Sequence, residues 1–451
     1  MSVGIIGGGM MGMALGERLS ATGHRVEIFE RNSQIGGLAT WEDFGGFYWD
    51  RFYHVILPTD GHLTEYLGKI GLADQIRWQD TRTGFYVDGT LHSVSTTLEF
   101  LSFPPLSLPS KLRLAATILY CAALNDWRRL ERITVEDWLI KISGRITYEK
   151  FWKPLLLAKL GENYRRVSAV FIWTYIKRLY AARSSSAKRE QLGHVSGGYK
   201  RVFDRLVELI ENQGGKVHTG VAVTKVTPAP SAGVEIQLEG QTLLFDKVIF
   251  TGPVNVLQRV AAADLVEHPG TNGGVEYLGV VCLVLVTSKP IVPFYVVNIA
   301  DPRIPFTGII GMSNVVSARE TGGKHMTYLP KYVLSDDAAL KRADDDICAE
   351  FIGGLQLMLP DFDHDSIVSF HVQRASKVQP LQVLNYSQLA PRAETQHPDF
   401  YILNTAQFVR NTLNNNEVIG LVNGFLDRHQ SEFAPSAVES IKILATVGQQ
   451  H

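Results

Sequence analysis

Val3-Gly4-Ile5-Ile6-Gly7-Gly8-Gly9-Met10-Met11-Gly12 decides the fold. Its first four residues are a short apolar run, as a parallel strand buried on both faces requires. G-x-G-x-x-G follows at Gly7, Gly9 and Gly12. Each glycine answers a separate steric demand. Gly7 permits a tight turn, Gly9 lets the backbone approach a pyrophosphate, and Gly12 lets a helix pack closely on the strand. The helix continues through Ala14, Leu15, Leu19 and Ser20 to a stop near Gly23, and its N-terminal amides, at Met10 and Met11, face the phosphates. A second strand, Val26 to Phe29, ends in Glu30. That carboxylate stands about twenty residues past the glycines, where an acid takes a ribose hydroxyl. Strand, glycines, helix, strand and acid stand in order, so a dinucleotide-binding βαβ unit is expected at the N-terminus.

After Glu30 the chain reads Arg31-Asn32-Ser33-Gln34-Ile35-Gly36-Gly37-Leu38-Ala39-Thr40. A long, doubly charged pyrophosphate needs a second set of backbone amides, and a Gly-Gly pair presents them with no side chain in the way. The stretch resembles the second motif of the amine oxidase, protoporphyrinogen oxidase and phytoene desaturase superfamily of flavoproteins. The resemblance implies FAD rather than NAD, with Arg31, Gly36, Gly37, Leu38 and Ala39 beside it.

The resemblance covers most of the chain. Gly45-Gly46-Phe47-Tyr48-Trp49-Asp50, then Tyr53-His54, looks like the family segment leading toward the flavin ring. His194-Val195-Ser196-Gly197-Gly198-Tyr199 precedes an amphipathic helix, and in the family the following stretch clamps the adenosine with backbone groups at the position of Val223. Lys247 to Pro253 resembles the strand and turn that close the cofactor site, which brings in Thr251 and Gly252. Phe400 to Gln407 and a helix from about Glu417 to Arg428 resemble the last family strand and helix. The resemblance implies Gln407 and Val418 near the flavin pyrimidine, where a helix dipole favours the anionic reduced ring. The implied fold class is α/β: a Rossmann-like FAD-binding domain with an intergrown α+β substrate domain. Residues 1–60, 190–265 and 390–451 are assigned to the first, residues 61–189 and 266–389 to the second.

Composition narrows the partners. The 451 residues are 45% hydrophobic and 20% charged, with a net charge of −1, so a small-molecule substrate is expected and nucleic acid is not. Cys121, Cys282 and Cys348 are odd in number and far apart, which argues for a reduced, cytoplasmic setting and against a disulfide framework or a metal site. In flavoproteins of this type that tether the flavin, the monoamine oxidases, the link is a cysteine near the C-terminus. None follows Cys348, so non-covalent FAD is expected. The N-terminus is apolar but lacks the basic region of a secretion signal, and no apolar run reaches the roughly twenty residues of a membrane span.

In the substrate domain, Trp138, Leu139, Ile142, Phe151, Trp152 and Leu155 to Leu157 recur at helical spacing, as core stripes do. Tyr277 to Val286 reads as a buried strand. Asp344-Asp345-Asp346 reads as a solvated helix start, and Ser184-Ser185-Ser186 as a loop. Leu112 to Leu124 is apolar, with Lys111 and Arg113 at one end and Trp127, Arg128 and Arg129 at the other. It reads either as a buried helix, or as a helix resting on a membrane surface, with Leu114 and Ile118 on the lipid side.

Three functions remain. The first is an FAD-dependent oxidoreductase removing hydride from a small, largely apolar organic substrate. The second is a flavin-dependent mutase resembling UDP-galactopyranose mutase, to which Arg410, Asn411, Asn414 and Asn416 would offer polar contacts, although caps and turns use asparagine too. The third is a binding protein resembling GDP-dissociation inhibitors, against which an intact fingerprint and Glu30 argue. His54 is a catalytic candidate, to orient substrate or shuttle a proton, and Tyr53 would line the same wall. Lys159 is read as an exposed helix lysine. The family's flavin-facing lysine is absent from Tyr277 to Val286, Asn404-Thr405 replaces the usual Gly-Asp, and Leu38 stands where many members have arginine. Amine oxidation is thereby disfavoured.

Overall fold

In the computed structural model, which describes residues 1–184, 190–266 and 274–433, two sheets draw their strands from distant parts of the chain. β1 (Ser2–Ile6), α1 (Met10–Ala21) and β2 (Arg25–Glu30) follow one another, and a hairpin of Trp41–Asp43 and Tyr48–Asp50 leads to α2 (Gly61–Lys69). β3 (Thr83–Val87) and β4 (Thr90–Ser93) precede α3 (Thr97–Ser102), α4 (Leu108–Ala123), α5 (Val135–Ser143), α6 (Lys153–Leu160) and α7 (Ala169–Ser184). Then come α8 (Gly198–Asn212), β5 (Lys216–Thr219) and β6 (Lys247–Phe250). β7 (Tyr277–Thr287), β8 (Val296–Ile299), β9 (Gly308–Gly311), β10 (His325–Leu334), α9 (Asp344–Met358) and β11 (Ile367–Pro380) follow. β12 (Phe400–Ile402) and α10 (Asn415–Arg428) come last.

The first sheet is parallel, in the order β12-β6-β1-β2-β5. Val3 and Ile5 of β1 face a core shared with α1, α8 and α10, while Ile6 faces a three-stranded meander over residues 225–245 on the other side. Covering both faces is what a parallel sheet needs, and it explains the unbroken apolar run. α2 was assigned to the substrate domain on sequence. Its Leu63, Tyr66 and Leu67, spaced one helical turn apart, instead pack into this same core.

The second sheet runs β11-β7-β10-β9-β8-β3-β4, antiparallel except where β8 meets β3. Every residue of β7 is buried. Val280, Cys282, Val284 and Val286 fill the core on one face, and Val281, Leu283 and Leu285 that on the other, the alternation a strand imposes. Helices α4 to α7 build a further core around Trp138, Leu139, Trp152 and Leu156. Asp344 to Asp346 open α9 exposed, and no group suited to a metal ion occurs among the described residues. The three cysteines are free and buried.

α4 departs from the wholly buried reading and from the placing of Leu114 on a lipid side. It is not wholly buried, and its inner face carries Lys111 and Leu114, so Leu114 is a core residue rather than a lipid-facing one. Lys111 turns inward, donating from Nζ to the carbonyl of Leu101 at 2.5 Å. Among the described residues no helix is long and apolar enough to cross a membrane. Ser185 and Ser186 of the expected loop, and residues 434–451 of the assigned FAD-binding domain, lie outside the described residues.

Candidate active site

At the fingerprint, Gly7 has φ +113°, and a Cβ there would lie 2.5 Å from Oγ1 of Thr251. A Cβ on Gly12 would stand 1.9 Å from the carbonyl oxygen of Gly7, so only glycine lets α1 sit this close to the turn. Gly9 differs. The nearest atom to a Cβ there is Cα of Gly37, at 3.9 Å, so the space before it is open. The paired glycines come to the same place. Gly36 donates its amide to the carbonyl of Gly8 at 2.9 Å, and Gly9 and Gly36 form a parallel bridge. Gly37, Leu38 and Ala39 make one helical turn, with Ala39 buried and its amide on the carbonyl of Gly36 at 2.9 Å.

Among the described residues no side chain caps α1, whose N-cap is Gly9, and no acid stands in its first turn. The amides at Met10 and Met11 and the positive end of the dipole are thus left for an anion. Glu30 is buried beneath the loop, its carboxylate accepting from the amides of Gly8 at 2.8 Å and Asn32 at 2.9 Å. Arg31 is exposed at the rim. Val221 donates to the carbonyl of Glu30 at 2.9 Å, which holds the loop of Val223 beside the end of β2. Among the described residues the amide and carbonyl of Val223 have no main-chain partner. Amides, open space above Gly9 and an anchored acid are the parts a dinucleotide needs, and they fit one.

Thr251 donates from its hydroxyl to the carbonyl of Ile6 at 3.0 Å, and Gly252 accepts from Nδ2 of Asn404 at 2.9 Å. The side chain of Gln407 is spent on the turn. It accepts from the amide of Asn404 and donates to the carbonyl of Ile402, both at 3.1 Å. α10 begins two residues before the expected Glu417. Asn414 caps it by accepting from the amide of Glu417 at 3.0 Å, and the amide of Val418 already donates to the carbonyl of Asn414 at 3.2 Å. Because Val418 carries the first intrahelical bond, the open amides are those of Asn415 and Asn416. Asn416 also accepts from the amide of Leu63 at 3.1 Å, Asn411 bonds the carboxylate of Glu417, and Arg410 is exposed. The asparagine cluster therefore serves the helix start.

Between the two sheets lies an aromatic wall. Tyr53 and Tyr332 share a hydrogen bond between phenol oxygens at 2.7 Å. Tyr332 pairs with Val280 across the sheet, so its ring shares the face of β7 that carries Cys282 and Val284. Burial, reinforced by Tyr332, pushes the Tyr53 phenol well above its usual range. Burial also raises Tyr332, against the opposing pull of Lys159. Both phenols are hydrogen-bond donors at neutral pH. Lys159 is half-buried rather than exposed, its Nζ lying 4.1 Å from the centroid of Tyr175 and 5.5 Å from that of Tyr332. Packing of α6 on β10 turns it inward.

His54 follows Tyr53 in the same loop and lies edge-on to Tyr199 at 5.1 Å, with Nδ1 3.6 Å from Oδ2 of Asp50. Asp50 is held by the amide of Tyr199 at 2.8 Å. Among the described residues, Nδ1 of His54 and Nδ2 of Asn415 are buried without a hydrogen-bond partner. Both border Tyr199. Such orphaned groups suit a bound polar ring. Three ties between the layers escaped the sequence reading. Arg178 donates to both oxygens of buried Asp60 at 3.0 Å, Gln382 donates to the carbonyl of Phe408 at 2.7 Å, and Glu320 accepts from His194 and from the amide of Gly197, each at 2.9 Å. Arg178, Asp60, Gln382, Phe408 and Glu320 lie outside the quoted motifs; only His194 and Gly197 lie within one.

The family model described as flavin containing amine oxidoreductase matches residues 10–403. Zeta-carotene desaturase of Synechocystis is 26% identical over 290 residues, 59% of this chain and 58% of its own length. An oxidoreductase from Methanosarcina mazei superposes with a TM-score of 0.73 at 19% identity, over 95% of this chain and all of its own. Reduced UDP-galactopyranose mutase does so with a TM-score of 0.70 at 16% identity, over 97% and 96%. At these identities the solved structures speak to the fold alone.

Proposed function

The chain belongs to the flavin containing amine oxidoreductase family, and from that premise we propose that it is an FAD-dependent oxidoreductase that removes hydride from a largely apolar organic substrate, with the FAD held non-covalently. Bound FAD supplies the hydride acceptor. The glycine loops and Glu30 hold the dinucleotide. Tyr53 and Tyr332, kept protonated, orient the substrate and exclude water, and His54, steadied by Asp50 and Tyr199, takes the proton released with the hydride.

The observation that carries this reading is the wall itself. Behind the segment of Tyr53 it is backed by the buried apolar side chains of Val280, Cys282 and Val284, and no lysine stands on β7. That surface favours an apolar body over a charged amine. The relatives named as desaturases point the same way, since desaturation removes a hydride and a proton from neighbouring carbons. Family membership sets aside the binding-protein reading, and the sugar-nucleotide reading loses the asparagines on which it rested.

Anaerobic mixing of the holoprotein with an apolar polyene in detergent micelles, with putrescine and with UDP-galactopyranose tests the proposal. Bleaching of the flavin absorbance by the polyene is expected. Bleaching by the amine alone would overturn it.

A further inference from the structure

The outer face of α4 is the observation. A surface helix normally turns apolar residues inward and charged ones outward. In α4 the inner face is filled by buried Ser110, Lys111, Leu114, Thr117 and Cys121. Each residue advances about 100° around the axis. The diametrically opposite positions are Leu108, Leu112, Ala115, Leu119 and Ala123, all exposed. Leu108 and Leu112 are each 62% exposed and Leu119 is 57% exposed. Leu101, whose carbonyl receives Lys111, and Ile146, two residues past the Gly144 against which Arg113 lies, extend the apolar surface at 48% and 63%. Among the described residues nothing packs on this face. Contiguous exposed side chains of this size mark an interaction site.

The charges say what covers it. Arg113 and Arg145 are exposed at one end, and Arg128, Arg129 and Arg132 beyond the other, where Asp126 pairs with Arg129 at 3.0 Å and leaves an excess of positive charge. Arg128 lies 5.0 Å over the ring of Trp127. Since both ends are basic, a second copy of the chain would bring arginine against arginine whichever way it docked. An anionic lipid surface complements the apolar stripe and both basic ends together. At 16 residues, about 24 Å, the helix is shorter than the roughly 30 Å hydrocarbon core, and its inner face is already occupied by protein.

We propose that the outer face of α4 rests on the surface of an anionic bilayer, with Leu108, Leu112 and Leu119 at the headgroup boundary and the arginines on lipid phosphates. The proposal is independent of the substrate reading. The test is co-sedimentation of the holoprotein with vesicles of equal parts phosphatidylcholine and phosphatidylglycerol, at low and high salt. The wild type is expected to sediment at low salt and less so at high salt. Leu112→Asp with Leu119→Asp should lose about tenfold or more in vesicle affinity while flavin content and thermal midpoint hold, because both side chains point away from the core. Arg128→Gln alone should weaken binding about fivefold, through one lost cation. Wild-type protein left in the supernatant at low salt would overturn the proposal. So would vesicle binding unchanged in the double variant, or a wild-type dimer in gel filtration that the double variant dissolves.

Discussion

In the nucleotide-binding layer the surface offered to a ligand is backbone. Gly9, Gly36 and Gly37 meet with no side chain between them, and the acid below them is fixed by two amides. In the substrate layer the offered surface is side chain. Tyr53, Tyr332 and Lys159 come from a loop, a strand and a helix far apart in sequence. The contrast governs how each fails. A backbone cradle is all or none, because one added carbon occupies the ligand's place. A side-chain wall loses function in steps, one hydrogen bond at a time.

The largest expected effect is therefore at a glycine, and two glycines separate fold from binding. Gly9→Val should leave the secondary structure and thermal midpoint of the apoprotein near wild type, because its Cβ meets nothing closer than 3.9 Å, yet yield colourless protein. Gly12→Ala should damage the fold itself, by about 3 kcal/mol or more, because its Cβ drives into the carbonyl of Gly7. Circular dichroism and flavin absorbance on both variants check this, and a yellow Gly9→Val protein would break the comparison.

Glu30→Gln should be milder. It keeps an acceptor for one amide but loses the charge-assisted bond to ribose, worth about 1.5–3 kcal/mol, so FAD should bind about 10- to 100-fold more weakly by fluorescence titration. In the wall, Tyr332→Phe removes one hydrogen bond and should lower kcat/KM about tenfold with flavin content unchanged. Tyr53→Phe together with it should add little more if the two phenols act as one unit.

The smallest effect lies between the layers. Burial tends to raise the Glu320 carboxyl, but His194 and the amide of Gly197 outweigh it and hold the group below its usual range. A carboxyl depressed in the folded state adds stability above its unfolded value of about 4.5, and that contribution fades as pH falls through the folded value. Glu320→Gln should lower the thermal midpoint by a few degrees at neutral pH, and the gap from wild type should close in acid.

This contrast also explains what the sequence made legible. Backbone recognition is written locally, as glycines at fixed spacing, so Gly7, Gly9, Gly12 and Gly36-Gly37 could be read in order. Partners set by sheet pairing, such as Tyr332 for Tyr53, leave no local mark. The start of α10 was misplaced because Asn414, Asn415 and Asn416 are equally good caps in sequence. α8 and α4 make the same point. α8 puts Arg201, Asp204, Glu208 and Glu211 outward, so its phase was plain. α4 carries apolar residues on every side and buries Lys111 and Thr117, so it shows no phase until its packing is known.

The central claim is that the open cradle above Gly9 holds FAD and holds it without a covalent bond. Acid precipitation of the purified yellow protein, followed by chromatography of the supernatant, tests this most directly. The account predicts one FAD released per chain and a colourless pellet. FMN in the supernatant, or colour retained in the pellet, would contradict it.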